Sequence, residues 1–252
     1  MGEAFDHSRR EFLNLGAMAG AALLAEGAQP APAAAAVTSP PGTSAAMTPA
    51  VAWAVRGKVL QVPEPDHLES LPDALIVIGP DGVIERVDSG NTEAAASFRK
   101  SGRLLELKPS QYLLPGMIDT HIHAPQWPQM GTALDLPLEK WLIEYTFKLE
   151  ARYSDTDFAR KVYTDMVTTL LAHGTTAGVY YSSIHLPATQ ILAELCLSKG
   201  QRAFIGRVAM DDPKTCPDSY RGKSAAIAIE ETRAFIDFVR SMPGNEKNSS
   251  SR

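Results

Sequence analysis

The sequence predicts an α/β protein in which parallel strands alternate with helices after a small β-rich segment. Three apolar strands, which end near His121, Tyr181 and Met210, are each followed by helical patterning. Strands that alternate with helices in this way form a parallel sheet with right-handed crossovers. The segment before them has short apolar runs and a strong turn signal at Gly79-Pro-Asp-Gly82, which predicts a β-meander.

Composition narrows the class of function. The chain has 252 residues, a net charge of −5 and no basic block, so nucleic acid is not expected as a partner. Cys196 and Cys216 have no metal-binding spacing, and the Cys-x-x-Cys of cytidine-deaminase zinc sites is absent. We expect a small buried side chain and a loop thiol, with a mutual disulfide after export as the alternative.

The first residues predict export. Ser8-Arg-Arg-Glu-Phe-Leu13 has the pattern of a twin-arginine signal, and the Gly/Ala-rich run over 15–25 is too short to span a bilayer. We expect a signal peptide over 1–36 and a disordered linker over 37–50. The expected location is periplasmic, or cytoplasmic if the signal is not used, with no stable membrane anchoring. An N-terminal amphipathic helix without an export role is the alternative.

The small β-domain is expected over residues 51–114. Its runs of β-branched and apolar residues are bounded by Gly, Pro and Asp, which favours strands joined by turns. We expect strands over 51–55, 58–62, 74–78, 83–87 and 104–107, and a helix over 91–102. His67 falls in an expected loop and is expected to be solvated.

The residues that suggest chemistry concentrate in Pro115-Gly-Met-Ile-Asp-Thr-His-Ile-His123. Met117-Ile118 and the Pro-Gly before them favour a strand. Side chains alternate along a strand, so His121 and His123 face the same side. On a helix they would point about 200° apart, because each residue turns about 100°. Two such imidazoles form half of a zinc-type site, and the alternative is a hydrogen-bonded polar pair without a function.

Helical periodicity follows this strand. The expected elements are helices over 139–149, 155–173, 187–199 and 224–239, and strands over 175–181 and 202–210. Four apolar residues predict one face of the first helix: Leu138, Trp141, Leu142 and Tyr145. His173 closes the second helix, where a cationic ring is stabilised, and it is not expected to bind metal.

The carboxyl ends of the parallel strands are expected to meet at one mouth. Ligands collect at this edge of such sheets, and five polar side chains are expected there: His121, His123, Gln126, His185 and Asp211. His185 is expected either to support the site from behind the metal ligands or to hydrogen-bond within its own loop.

Several motifs resemble a known family. Residues 115–123 resemble the first barrel strand of the amidohydrolase superfamily. Asp135-Leu-Pro-Leu-x-x-Trp-Leu-x-x-Tyr-Thr-Phe-x-x-Glu150, His121-Ile-His-Ala-x-Gln126, Ile184-His185 and Gly200-Gln-Arg-Ala-Phe-Ile-Gly206 are similar to its guanine deaminase branch. The resemblance runs from about residue 51 to the C-terminus. It implies the N-terminal part of a TIM-like (β/α)8 metal-dependent hydrolase barrel over 115–252, preceded by a partial β-sandwich over 51–114.

The resemblance also implies an activity. In this family a metal ion supports hydrolytic deamination of guanine to xanthine and ammonia, so one Zn²⁺ per subunit is expected, bound by His121 and His123. Gln126 and His123 are the expected contacts of the purine, a small-molecule partner. An amide suits a purine edge because it donates and accepts at once. The resemblance allows a homodimer of the complete protein.

The site and the barrel are expected to be incomplete within 252 residues. A catalytic zinc ion requires at least three protein ligands. The family's remaining ligands, its proton-shuttling Glu and its Arg-Phe pair come from later strands, so no catalytic residue is assigned. Residues 115–252 are roughly half of the about 250 that an eightfold barrel takes. We therefore expect an N-terminal half whose activity resides in the full-length form. The alternatives are an inactive truncated remnant, or an amidohydrolase that acts on another ring amine or halide.

Overall fold

The computed structural model describes residues 52–90 and 93–245. The expected signal peptide and linker, 1–36 and 37–50, lie outside these ranges. Within them the mixed α/β class is confirmed, with two separate sheets and helices between the later strands. Of the helices in the described ranges, none combines the length and apolar character that a membrane crossing needs.

The first sheet has five strands, and a helix follows its third strand. Its elements are β1 Trp53–Glu64, β2 His67–Ile78, β3 Ile84–Ser89, α1 Glu93–Lys100, β4 Leu104–Glu106 and β5 Tyr112–Leu113. The pairs β1–β2 and β2–β3 are antiparallel, which confirms the meander, whereas β4 and β5 both pair with β1 in parallel.

Strand β1 is a single strand in a region for which the sequence predicts two strands. From Trp53 onwards, the single strand β1 replaces the two expected strands over 51–55 and 58–62, and it has a register shift after Gly57. Glycine is needed there for close approach, not for a turn, because a Cβ at Gly57 would lie 2.7 Å from the Cβ of Leu107. The loop predicted around His67 is also wrong, since His67 begins β2, although its side chain is exposed as expected.

The second sheet contains the three parallel strands that the sequence predicts. They are β6 Met117–His123, β7 Thr175–Tyr181 and β8 Arg202–Gly206, in the order β6-β7-β8. β8 ends at Gly206 and not at Met210, so the predicted strand is too long. After it, the guanidinium of Arg207 donates to the carbonyl oxygen of Ile184 at 2.7 Å and pairs with Glu231.

The helices after β6 lie close to their predicted positions. They are α2 Leu138–Trp141, a π-helical turn Leu142–Thr146, α3 Phe147–Ala151, α4 Thr156–Ala172, α5 Leu186–Lys199 and α6 Ala225–Ser241. Short 3-10 helices occupy Ala124–Gln129, Arg152–Ser154 and Asp218–Tyr220. The side chain of Asp155 caps α4. His173 follows α4, and its Nδ1 lies 2.8 Å from the carbonyl oxygen of Thr169.

The predicted apolar face of the first helix after β6 is correct only in part, since Trp141 and Leu142 are half-buried and Leu142 packs against a core cluster. Leu138 is 66% exposed and Tyr145 is 38% exposed, whereas Thr146, Phe147 and Glu150 are buried. The π-helical turn adds a residue to one turn and so shifts the face that follows it. Two buried polar residues on the observed face are tolerated because both have hydrogen-bond partners.

The largest core cluster packs α4 and α5 against β7. Its fully buried members include large side chains from all three elements: Tyr163, Met166, Val167, Tyr180 and Leu192. Cys196 belongs to the same cluster, and Cys216 is buried in the loop after β8. Both cysteines are free thiols, so the expected small buried side chain and loop thiol are observed, and the alternative disulfide is not.

Candidate functional site

The two histidines of β6 lie side by side at the carboxyl end of the strand. The Nε2 atoms of His121 and His123 are 3.2 Å apart, as expected for residues that alternate along a strand. The Oδ1 atom of Asp119 accepts a hydrogen bond of 3.0 Å from the backbone N–H of His121. Burial, followed by the nearby charge of His121, lowers the pKa of His123, which favours its neutral form.

The spacing of the two imidazoles suits a shared metal ion. Two nitrogens about 2.0–2.1 Å from one tetrahedral zinc lie roughly 3.3–3.4 Å apart, close to the distance observed. Neutral imidazole is also the form that binds a metal. Within residues 52–90 and 93–245, however, no group of three or more His, Cys, Asp or Glu side chains could hold a metal ion. The described residues therefore present two candidate ligands, whereas a catalytic zinc site needs at least three.

Tyr181 lies beside both histidines. Its ring centroid is 4.8 Å from that of His121 and 4.9 Å from that of His123. Parallel pairing places Tyr181 of β7 opposite His123 of β6, which explains the contact. The sequence-based assignment of site residues did not include Tyr181. Its position at the carboxyl end of a predicted strand could have placed it near the two histidines.

Gln126 lies in the 3-10 helix that directly follows β6, and hydrogen bonds attach this helix to the α2–α3 segment. Its Nε2 donates to Oε1 of Glu150 at 2.9 Å. One turn away, Nε2 of Gln129 donates to Oγ1 of Thr146 at 2.8 Å. The hydroxyl of Tyr153 donates to the carbonyl oxygen of Pro125 at 2.9 Å, so the backbone beside Gln126 is also anchored.

Glu150 is a buried acid to which the sequence-based prediction assigns no role at the site. Its exposed fraction is 6%, and burial raises its pKa, while hydrogen bonds from Tyr220 and Gln126 act in the opposite direction. Burial also raises the pKa of Tyr220. A signal for Glu150 was present in the sequence, since Thr146 and Glu150 are polar and stand four residues apart, on one face of a helix.

His185 lies behind this cluster, at the start of α5. Its ring centroid is 6.2 Å from that of Tyr220 in an edge-on arrangement, and the backbone of Ala151 provides a hydrogen bond. In the described part of the chain its Nε2 is buried without a hydrogen-bond partner. Burial, and then the charge of Arg207, lower its pKa. The described contacts join His185 to Tyr220 and not to the β6 histidines.

Asp211 does not join the histidines either. It follows β8 as an exposed residue. The structure thus brings His121 and His123 together and links Gln126 to Glu150, while His185 and Asp211 stand apart from the paired imidazoles. Chemically, the arrangement offers two adjacent imidazole nitrogens and one oriented amide at the end of a parallel strand.

An α/β protein with paired histidines at the end of its first parallel strand is typical of a class of metal-dependent hydrolases. Residues 112–245 match the Amidohydrolase family, and the chain belongs to that family. Its parallel strands and both histidines fall within the matched range.

Within the family, the chain is similar to guanine deaminases. It is 41% identical over 189 residues to the probable guanine deaminase of Schizosaccharomyces pombe, covering 73% of this chain and 35% of that protein. It is also 41% identical over 196 residues to the guanine deaminase of Dictyostelium discoideum, covering 73% and 43%. The structure of guanine deaminase from C. acetobutylicum with bound guanine aligns with a TM-score of 0.66 and 28% identity, over 73% of this chain and 42% of that one. The chain therefore spans less than half the length of these relatives.

Proposed function

We propose that this chain forms part of a guanine deaminase, which removes the exocyclic amine of guanine by zinc-dependent hydrolysis to xanthine and ammonia. The observation that carries the proposal is the 3.2 Å separation of the Nε2 atoms of His121 and His123, with Gln126 three residues further along the chain. The similarity to guanine deaminases supports the choice of substrate.

In the proposed reaction, the residues of this chain would bind the metal ion and the purine. His121 and His123 supply two nitrogen ligands, and Tyr181 limits the directions in which their rings point. Gln126 presents an amide, which can donate to one atom of a purine edge and accept from the next. A bound zinc ion would supply a water molecule whose pKa is lowered towards neutrality.

The remaining parts of the reaction are proposed to come from elsewhere in the full-length form. The described residues hold no group of three metal-binding side chains, and the relatives are more than twice as long as the matched segment. On the same grounds we propose that β6, β7 and β8 are the first strands of an eight-stranded barrel. The first sheet, β1 to β5, would then belong to a β-sandwich domain over 51–114 that is completed elsewhere. A homodimer of the complete protein stays a proposal.

Zinc binding by the purified 252-residue chain tests the metal site. Competition with a coloured chelator is expected to show a weak site, which His121→Ala or His123→Ala weakens at least roughly tenfold. His173→Ala is the matched control, because His173 bonds its own helix terminus and should leave affinity unchanged. Equal effects of all three substitutions would count against the assigned ligands.

Release of ammonia from guanine tests the activity. The 252-residue chain is expected to stay at background, whereas the product of a longer in-frame coding sequence is expected to form xanthine in a zinc-dependent reaction. A stop codon directly after Arg252 would favour the inactive remnant. A longer product that turns over another ring amine or halide in preference to guanine would favour the other amidohydrolase activity.

We also propose that the protein is exported through the twin-arginine signal. Sequencing the N-terminus of the protein from its own cells is expected to find a start between Gln29 and Val37. Recovery of intact Met1 would contradict export with cleavage and would favour a cytoplasmic location.

A further inference from the structure

A chain of hydrogen bonds ends at Gln126. The backbone N–H of Ile184 donates to the hydroxyl of Tyr220 at 3.3 Å, and this hydroxyl bonds the carboxyl group of Glu150. Gln126 donates from Nε2 to the same carboxyl group at 2.9 Å. An ionised carboxylate can only accept hydrogen bonds. When Glu150 is ionised, Gln126 must therefore turn its amide nitrogen towards it, as observed, which leaves its Oε1 and its second Nε2 hydrogen for another partner.

Among residues 52–90 and 93–245, no cation contributes to the pKa shift of Glu150. Besides Gln126, the groups that interact with it are three phenols, namely Tyr153 three residues further along the chain, Tyr163 of α4 and Tyr220 after β8. Burial raises the pKa of each phenol, so all three are neutral. A buried carboxyl group without a cation costs folding free energy.

Attachment of the 3-10 helix Ala124–Gln129 to the α2–α3 segment does not require a buried carboxyl group. Gln129 and Thr146 make an equivalent buried contact one turn away between two neutral side chains, at 2.8 Å. An acid at position 150 differs from such a neutral partner in one respect, since its ionised form allows only one orientation of the Gln126 amide. The orientation of Gln126, and not the attachment of its helix, is what the carboxyl group adds.

We propose that Glu150 is a positioning residue, which orients Gln126 so that its Oε1 accepts a hydrogen bond from a ring N–H of the substrate. The inference rests on the proposed function, because it takes Gln126 as a contact of the purine. It narrows the substrate to heterocycles that present an N–H donor beside a ring acceptor, since the oriented amide offers Oε1 and one N–H side by side.

Nuclear magnetic resonance of the ¹⁵N-labelled 252-residue chain tests the orientation without any need for catalysis. The side-chain amide of Gln126, assigned by its loss in Gln126→Leu, is expected to follow one titration as Glu150 ionises. Glu150→Gln is expected to abolish that titration, while Glu144→Gln, an exposed acid in the same helical segment, should preserve it. A Gln126 amide that responds neither to pH nor to Glu150→Gln overturns the inference.

Guanine added to the same samples tests the substrate part. It is expected to shift the Gln126 amide in the wild type, and Glu150→Leu, which removes the acceptor, is expected to weaken binding about tenfold. Glu150→Gln keeps one acceptor oxygen but permits both orientations of the Gln126 amide, so it is expected to restore only part of the affinity. Thr146→Val is the matched control, because it breaks the neighbouring attachment and leaves the Gln126 contact intact.

The outcomes separate the two ideas. Equal weakening by Thr146→Val and Glu150→Leu overturns the positioning role, because attachment of the helix would then explain both. If the amide responds to Glu150 but guanine leaves the wild-type signals unchanged, the substrate part is overturned and control of the amide by Glu150 stands, while release of ammonia by the longer product decides the proposed function separately. If Glu150→Leu does not fold, the pH titration of Glu150→Gln still decides the orientation.

Discussion

The ring of His123 stacks on the ring of Tyr181, with centroids 4.9 Å apart and planes inclined by 13°. The same tyrosine ring lies 4.8 Å from that of His121. Tyr181 ends β7 and stands opposite His123 in the parallel ladder. One aromatic side chain therefore restricts both expected zinc ligands before a metal ion binds.

Tyr181→Ala is expected to lower the zinc affinity of the chain. An aromatic contact of this kind contributes about 0.5–1.5 kcal/mol, which corresponds to roughly two- to tenfold in affinity. Tyr181→Phe keeps the ring and is expected to bind zinc like the wild type. Chelator competition measures both variants. Equal losses in the two would show that the hydroxyl, and not the stacked ring, matters.

Glu150 should make stability fall as the pH rises. Burial raises its folded-state pKa above the ordinary value of 4.5, so the folded state holds the proton more tightly than the unfolded state. Its contribution is present below pH 4.5 and is lost as the pH rises through the folded-state value. Urea unfolding between acidic and neutral pH is expected to show this loss in the wild type and not in Glu150→Gln. A wild type that gains stability relative to that variant would contradict the raised pKa.

Glu231→Gln is expected to destabilise the fold. The side chain of Arg207 is 4% exposed and pairs with Glu231, whose side chain is 36% exposed. Loss of the charged partner leaves a buried guanidinium poorly compensated, which costs about 1–3 kcal/mol. The matched control is Glu194→Gln, which breaks the exposed pair with Arg160 and should cost about 0–1 kcal/mol. Similar urea midpoints for the two variants would refute this ranking.

Gly116→Ala is expected to destabilise the start of β6. A Cβ at this position would overlap the side chain of Thr176 in β7, 2.7 Å from its Cβ. Relief of such a clash requires the strands to shift, at a cost of about 1–3 kcal/mol. Gly206→Ala is the control, because the nearest atom to its added Cβ is the Tyr180 carbonyl oxygen at 3.8 Å. Thermal unfolding of the two variants checks the difference.

Local patterns predicted the parallel strands and the helices between them well. β7 runs over Thr175–Tyr181 as expected, and α4 is capped by Asp155 and followed by His173. These predictions succeed because hydrophobic periodicity and capping residues act within a few positions of the chain. Predictions failed where a distant residue decided the outcome. The sequence predicts separate strands on either side of Gly57, whereas the side chain of Leu107 explains why glycine occurs there within a single strand.

The sequence by itself determined the class of protein and the placement of His121 and His123 on one side of a strand, because alternation of side chains is a property of the extended backbone. Tertiary structure decided what surrounds them. Gln126 meets Glu150 across 24 positions of sequence, and β7 brings Tyr181 to the two imidazoles. Such contacts depend on the register of strands and on a π-helical turn that shifts a helical face, and neither is encoded by the spacing of nearby residues.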